Sequence, residues 1–290
     1  MGTSEASAGA AACTVLRLAG RDALGLLHRL STASLADLAP GQARATLFCD
    51  FRGRLLHRAV AAVTGDSAVW LLRDDAPAGE LAAYLDRHVF REDVRLADLS
   101  AGRTVRRVPA GGGTPAPGAL MERDGAPLAA AAEPGFVLEV RAGAAHGDAF
   151  PPAGPLAEAR RIRAGLSRHG HEIAGDFNPF EVGLAREVHL AKGCYTGQEA
   201  LMRLVTYRSV RRRLVLLEGE GAPPAVPADV TRAGASAGRA TSAAPGDPGW
   251  VALAVLAHEA CEPGTALAVA GAGAVAAIRP FPVERPPGLP

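Results

Sequence analysis

The sequence lacks the features of membrane, secreted and nucleic-acid-binding proteins. No uninterrupted apolar stretch approaches the roughly 18 residues of a spanning helix. The N-terminal segment has neither the basic region nor the apolar core of a signal peptide. With 31 basic and 30 acidic side chains, the net charge of +1 gives no bulk attraction to nucleic acid or anionic membrane. We therefore expect a cytoplasmic protein with no membrane association and no stable nucleic-acid binding.

The sequence has few cysteines, and they lie far apart along the chain. No C-x-x-C pair is present, which favours a reducing compartment over a disulfide framework. A stable iron–sulfur cluster held by this chain alone would need several grouped cysteines. His169 and His171 have a spacing that suits a metal, but no third ligand is evident, so we expect no metal site. The four cysteines are Cys13, Cys49, Cys194 and Cys261.

The sequence has very little lysine, asparagine and glutamine, and most of these few residues lie in one short stretch. Lys192 is the only lysine among the 31 basic residues, and Asn178 is the only asparagine. Both lie in the stretch 178–198, which also holds Gln198, one of two glutamines. An arginine- and alanine-rich composition is typical of a GC-rich genome, in which a lysine persists most readily where arginine does not replace it chemically. The composition therefore directs attention to this stretch.

The length of 290 residues and the 48% apolar and 21% charged content indicate a globular protein of more than one domain. Hydrophobic periodicity predicts an α+β unit in the first third, because strand and helix patterns are mixed there. The predicted strands are Val15–Leu18, Ala45–Phe48, Leu55–Val63 and Ala68–Leu72, and the predicted helices are Asp22–Leu30 and Ala78–Phe90.

Glycine, proline and alanine dominate residues 109–135, which we predict to be a loop or linker. A strand at Phe136–Val140 and a helix at Leu156–Leu166 follow. Beyond Arg213, short apolar runs alternate with Gly/Pro turns, which predicts a small β-barrel or sandwich. These runs are Leu214–Leu217, Val251–Leu256, Ala266–Val269 and Val275–Ile278.

The segment Lys192–Glu199 (KGCYTGQE) carries the strongest chemical signal. Thr196 and Glu199 have the spacing of a capping box, which predicts a helix continuing through Ala200–Val205. Cys194 then precedes a helix N-terminus beside the only lysine, and both features favour thiolate over thiol. Structural alternatives stay open at this point: a buried cysteine, a surface lysine, a core tyrosine and simple helix caps.

The same eight residues resemble the K-G-C-Y-x-G-Q-E signature of the YgfZ family, folate-binding proteins related to the glycine-cleavage T-protein (an aminomethyltransferase) that take part in iron–sulfur cluster assembly or repair. Arg161–Gly165, Pro179–Gly183 and Gly238–Ser242 resemble flanking family segments, and Leu16–Asp93 resembles the opening domain. The resemblance implies an α+β, T-protein-like, three-domain arrangement around a central folate cavity, ending in a β-barrel. The expected domains are 12–104, 105–208 and 209–282, with flexible tails at 1–11 and 283–290.

One departure from the T-protein pattern bears on the chemistry. T-proteins carry a catalytic aspartate in a G-x-x-D-D stretch, whereas the similar stretch here is Gly53–Arg58 (GRLLHR), without a carboxylate. This argues against aminomethyl transfer. A second departure is Ser209, where the family often has glycine after the signature helix.

Folate recognition calls for a carboxylate at the pterin edge and arginine at the glutamate tail. Glu172 and Glu181 are the candidate pterin carboxylates, with solvated loop acids as the alternative. Asn178 precedes a proline, where a side-chain-capped turn is an equal explanation. The arginine run at 208–213 fits a folate tail or a solvated face. From the signature loop and helix, we add Tyr195, Gln198, Glu199 and Arg203 as candidate folate contacts.

The resemblance implies a monomeric tetrahydrofolate-binding accessory protein that supports [4Fe–4S] clusters in client enzymes, including radical-SAM tRNA-modifying enzymes. The hypothesis gives the reactive role to Cys194, activated by Lys192, while folate occupies the central cavity. The alternative is a folate-dependent one-carbon (aminomethyl or methyl) transferase or demethylase. A third class is an interaction scaffold that binds folate without cysteine chemistry.

Overall fold

The computed structural model describes residues 13–133, 135–143 and 154–289, and these form two compact units. The first unit contains the described residues of 1–26, 37–44 and 59–153. The second contains 27–36, 45–58 and the described residues from 154 onward. The expected tail at 1–11 lies outside the described residues.

The first sheet has five strands in the order β2-β3-β4-β1-β5. β1 pairs antiparallel with β4 and with β5, and β3 pairs antiparallel with β4. The strands are β1 (Thr14–Ala19), β2 (Gln42–Cys49), β3 (Leu55–Val63), β4 (Val69–Arg73) and β5 (Arg95–Asp98). Every residue of β4 is buried, as expected of a central strand with both neighbours present.

Two short helices belong to this part of the chain, α1 (Ala23–Leu30) and α2 (Gly79–Asp86). Helix α2 buries Leu81, Tyr84 and Leu85, the apolar stripe that the periodicity indicated. It ends four residues before the predicted Phe90, because the chain tightens at its end: the His88 amide donates to Leu85 O, and the His88 ring bonds Tyr84 O at 2.7 Å.

A second, four-stranded sheet has the order β6-β9-β8-β7. Its strands are β6 (Arg103–Pro109), β7 (Leu120–Arg123), β8 (Ala126–Glu133) and β9 (Phe136–Ala142). The prediction of a loop over 109–135 was therefore wrong for two strands. The β7–β8 hairpin turns at Asp124 and Gly125, both with positive φ (52° and 71°), as a two-residue hairpin requires. Strand β8 buries small alanines beside Val137, whereas the hydrophobic pattern of a strand is recognised by larger apolar residues.

The second unit ends in a closed six-stranded barrel in the order β10-β13-β12-β11-β14-β15. The strands are β10 (Arg212–Gly219), β11 (Ala228–Arg232), β12 (Ala235–Pro245), β13 (Trp250–Ala257), β14 (Ala268–Val269) and β15 (Gly273–Pro280). The predicted barrel is confirmed. β11 and β12 were missed, because they are polar and small, and they are joined by a turn at Ala233 and Gly234 with positive φ (48° and 82°).

Two hydrophobic clusters stabilise the second unit. One fills the barrel around Trp250, whose ring occupies the space a side chain at Gly219 would need, since an added Cβ would lie 2.2 Å from it. The other joins the outer face of the barrel to helices α3 (Pro155–Arg163) and α4 (Gln198–Thr206) and to Cys49 and Leu55. The α+β fold with a terminal barrel is thus confirmed, while the division into three domains stays a prediction.

Candidate functional site: the Lys192–Gly197 loop

The signature segment forms a loop that ends at the first turn of α4. Gly197 precedes the helix with φ +83°, and a Cβ there would lie 2.5 Å from the Asp50 carbonyl oxygen. Only glycine therefore allows the turn at residues 50–53 to approach so closely. That turn is itself fixed, because Asp50 Oδ1 accepts the amides of Arg52 and Arg54 at 2.8 Å each. The loop consequently rests on a preformed surface.

Helix α4 begins without the predicted capping box. Its N-cap is Gly197, which makes no side-chain capping bond, so Thr196 does not cap the helix. Glu199 instead forms an i,i+4 ion pair with Arg203 at 2.5 Å, and both side chains are exposed. An exposed pair of this kind contributes only about 0.3–0.5 kcal/mol. These two residues are accessible on the helix surface.

Cys194 is exposed, which excludes the alternative of a buried structural cysteine. Cys49 and Cys261 are buried, and burial raises the pKa of each thiol, to about 11 for Cys261. Cys13 is partly buried, with burial also raising its pKa. Because thiolate is the reactive form, the exposed thiol on the signature loop is the best placed of the four for chemistry.

The Lys192 side chain is held by a contact with His28 and does not extend freely into solvent. Its ammonium donates to the carbonyl oxygen of His28 and lies 4.7 Å from the centroid of the Tyr195 ring. Burial lowers its pKa from 10.5 to about 8. A lysine in this range has a substantial neutral fraction near neutral to mildly basic pH, unlike an ordinary surface lysine. The lowered pKa of Lys192 therefore makes its amine more reactive near neutral pH than the amine of an ordinary surface lysine.

Tyr195 and Gln198 face inward from the same loop. Tyr195 is buried in the cluster beside the barrel, burial raises its pKa, and its hydroxyl has no hydrogen-bond partner within the described ranges. Gln198 closes the loop by donating from Nε2 to Leu190 O at 3.0 Å. The Leu190 amide in turn donates to Pro287 O at 3.0 Å. The C-terminal residues thus contact the loop from one side.

Glu172 is completely buried, and its hydrogen bonds to described residues are all made within the second unit. Its Oε1 accepts the hydroxyls of Thr241 and Ser242, the latter at 2.8 Å. Its Oε2 accepts the Arg161 guanidinium at 3.3 Å and the Arg168 amide at 3.1 Å. This carboxylate ties the segment after α3 to barrel strand β12. The alternative of a solvated loop acid is wrong for this residue.

Glu181 is buried as well and lies in a polar network around Asn178. It accepts the Asn178 amide at 3.0 Å and two bonds from the Arg212 guanidinium at 2.8 and 3.0 Å. Asn178 Oδ1 accepts the amides of Phe180 and Glu181 at 3.0 and 3.2 Å, the side-chain-capped turn that the sequence allowed. Glu172 therefore bonds to the barrel and to the 158–168 segment, and Glu181 bonds to the barrel and to Asn178.

Three features were not predicted from the sequence. Arg58 forms a bidentate, largely buried ion pair with Glu187 at 2.6–3.1 Å. His57, in the stretch similar to the T-protein Asp-Asp element, is buried with its ring 6.3 Å from that of His169. His28 contacts the signature loop although it is 164 residues away in sequence. No local pattern signals such a long-range contact.

The part of the chain that the structure describes contains neither a candidate metal site nor a helix that could span a membrane. No cluster of three or more His, Cys, Asp or Glu side chains there is arranged to hold a metal ion. None of the helices described is both long enough and apolar enough to cross a membrane.

Comparisons with known proteins agree with this fold. Residues 211–284 match the family described as CAF17, C-terminal beta-barrel domain. Over 78% of its length the chain is 26% identical to a chloroplast protein of Arabidopsis thaliana that is named as a transferase, and it spans 59% of that relative. Over 88% of its length it is 27% identical to an aminomethyltransferase of Saccharopolyspora erythraea, of which it spans 79%.

A solved structure, the glycine cleavage system aminomethyltransferase T of Bartonella henselae, shares the fold. Its TM-score is 0.73 at 17% identity, over 94% of this chain and 84% of that one. Fold and signature loop together define an aminomethyltransferase-like protein. The match of its terminal barrel to the CAF17 family supports the resemblance of the chain to the YgfZ/CAF17 type of that group.

The two carboxylates expected at the pterin edge of a folate already bond to groups of the protein. Each Glu172 oxygen already accepts two hydrogen bonds, whereas Glu181 Oε1 accepts one, from Arg212. A pterin-binding role for the two residues stays a prediction. The second unit has a cavity of about 250 Å³ lined by Asp176, Phe177 and Arg212, among others. That is below the roughly 300–1,000 Å³ usual for ligands of drug size. These residues therefore do not by themselves fit a whole folate, and we derive no step through it.

Proposed function

We propose that this chain is a tetrahydrofolate-binding accessory protein that supports assembly or repair of [4Fe–4S] clusters in client enzymes, such as radical-SAM tRNA-modifying enzymes. In this proposal it acts as a monomer in the cytoplasm. The working group is the Cys194 thiol, and Lys192 is the cation that accompanies it. Tetrahydrofolate is the bound cofactor, with its contacts in this chain still to be assigned.

The observation that carries the proposal is the contrast between Cys194 and its surroundings. The thiol is exposed on a loop whose other members are held: Lys192 by His28, Tyr195 in the core, and Gln198 by Leu190. A loop that is rigid around a solvent-accessible sulfur suits brief encounters with a partner better than it suits a packing role.

The test is rescue of cells that lack the gene. The activity of a [4Fe–4S] tRNA-thiolating enzyme is measured with the wild type, with Cys194→Ser and with the control Cys13→Ser, which removes a partly buried thiol elsewhere. We expect the wild type and the control to restore the activity and Cys194→Ser to fail. Full rescue by Cys194→Ser would contradict the reactive role of the thiol. Absence of any defect in the deletion would contradict the cluster role.

A folate-dependent one-carbon transferase is the second candidate, favoured by the names of relatives such as the S. erythraea aminomethyltransferase. The absence of a carboxylate in Gly53–Arg58 argues against it. Purified protein is incubated with tetrahydrofolate and an aminomethyl or methyl donor, and methylene- or methyl-folate is quantified. Our proposal expects tetrahydrofolate binding by calorimetry without turnover. Catalytic turnover would favour the transferase, and absence of binding would contradict both.

A further inference from the structure

His28 and Lys192 are joined by two hydrogen bonds that run in opposite directions. The Lys192 ammonium donates to the backbone oxygen of His28, and His28 Nε2 lies 3.1 Å from the backbone oxygen of Lys192. His28 lies in the last turn of α1, within the second unit. Both the side chain and the backbone of the only lysine are therefore tied to a single residue.

The other ring nitrogen determines which tautomer is present. His28 Nδ1 lies 3.0 Å from the Leu35 amide nitrogen and 3.1 Å from that of Ala36. Both amides are donors, so Nδ1 is the acceptor and the ring proton is on Nε2. Nε2–H then donates to the Lys192 carbonyl oxygen. The ring is oriented by the backbone that follows α1, and its one proton points at the signature loop.

The residue that follows Lys192 provides no such restraint. Gly193 has φ +103°, and apart from its chain neighbours no described heavy atom lies within 4 Å of the position its Cβ would occupy. Gly193 therefore supplies no side-chain contact that would hold the loop in place. The position of Cys194 on that side of the loop thus depends on how firmly Lys192 is held.

We propose that His28 is a positioning residue, which fixes Lys192 through the paired hydrogen bonds and thereby sets the place of Cys194. Its biological meaning rests on the proposed function, whereas the positioning itself is a property of the isolated protein. The described contacts of the Lys192 ammonium are the backbone oxygen of His28 and the ring of Tyr195, so Tyr195 is the titratable side chain among them.

The experiment uses the fact that the chain has one lysine. The purified full chain is treated with an amine-acylating reagent across a range of pH, and the Lys192 peptide is quantified by mass spectrometry separately from the N-terminus. The wild type is compared with His28→Ala and with His28→Gln, whose amide can donate and accept as the neutral imidazole does. His88→Ala is the matched control, since His88 also bonds a backbone carbonyl but in the first unit.

We expect a wild-type midpoint near 8 and a shift toward 10.5 in His28→Ala, which would slow acylation at pH 8 at least tenfold. His28→Gln should keep the wild-type profile within about twofold, and His88→Ala should match the wild type. An unchanged profile in His28→Ala would overturn the proposal. A wild-type midpoint near 10.5 would overturn it even if the alanine variant does not fold.

Because acylation involves neither folate nor a client enzyme, its outcome is separate from the rescue test. If Cys194→Ser abolishes rescue while His28→Ala leaves the profile unchanged, only the positioning role is wrong. If the profile shifts while Cys194→Ser rescues fully, positioning stands and the reactive role proposed for the Cys194 thiol is wrong.

Discussion

Replacing Glu172 by glutamine distinguishes a structural carboxylate from a ligand-binding one. In Glu172→Gln the retained oxygen can still accept the hydroxyls of Thr241 and Ser242. The new amide nitrogen, however, faces two donors, the Arg161 guanidinium and the Arg168 amide. Donors then oppose donors in a site that excludes water.

The size of the loss follows from these contacts. Removing one member of a buried charged pair costs about 3–5 kcal/mol of the free energy of unfolding. Arg161 keeps a second partner, Glu158, at 2.7 and 2.9 Å, so we expect the lower end, about 3 kcal/mol. Ser242→Ala, which removes one bond to the same carboxylate, should cost about 1 kcal/mol.

The assay is urea unfolding followed by the fluorescence of Trp250. The comparison is made in a Trp70→Phe background, so that the remaining tryptophan reports on the second unit. Tetrahydrofolate binding is measured on the same variants under native conditions. A Glu172→Gln protein as stable as its parent that has lost folate binding would refute the structural role and restore Glu172 as a pterin ligand.

Three further outcomes follow from the structure. The folded-state pKa of Lys192 lies below its unfolded value of 10.5, so the unfolded chain binds more protons between about pH 8 and 10.5; the free energy of unfolding should therefore rise with pH across that window in the wild type relative to Lys192→Met, as measured by urea titration. The Thr64 hydroxyl and the Arg17 guanidinium lower the pKa of Asp66 from 3.8 to about 2, so its contribution is complete above pH 3.8 and is lost as pH falls toward 2; acid unfolding of Asp66→Asn should lack that part of the transition, and an identical acid limb would contradict the assignment. Gly193→Ala should cost about 1–2 kcal/mol for positive φ alone, whereas Gly197→Ala should cost more, because its Cβ also meets the 50–53 turn; equal losses in denaturant unfolding would refute the close approach.

The fold was predicted best where periodicity and length agree. Leu55–Val63 matches β3 residue for residue, and the apolar runs after Arg213 are strands of the barrel. Strands β5 to β8, β11 and β12 were missed, because alanine or polar residues occupy many of the positions where the pattern requires large apolar ones. Their positions are set by hairpin turns and by pairing with neighbours, which a single sequence window does not contain.

Only the local features of the site could be predicted, because its remaining contacts join residues that are far apart in the sequence. The signature loop, the exposure of Cys194 and the inward Tyr195 are consistent with local reasoning, and the resemblance to the family is confirmed. The contacts that hold the loop are long-range, as between His28 and Lys192, and no local spacing encodes them. Burial of Glu172 likewise depends on Thr241 and Ser242, which lie some seventy residues further along the chain.

The central claim is that the Cys194 loop maintains clusters in client enzymes, and cluster content is its most direct measure. A [4Fe–4S] client enzyme is isolated from cells that lack the gene and carry either the wild type or Cys194→Ser, and its iron and sulfide are quantified per polypeptide. The account predicts a client depleted of iron and sulfide with Cys194→Ser and a loaded client with the wild type. Equal cluster content in the two would contradict it.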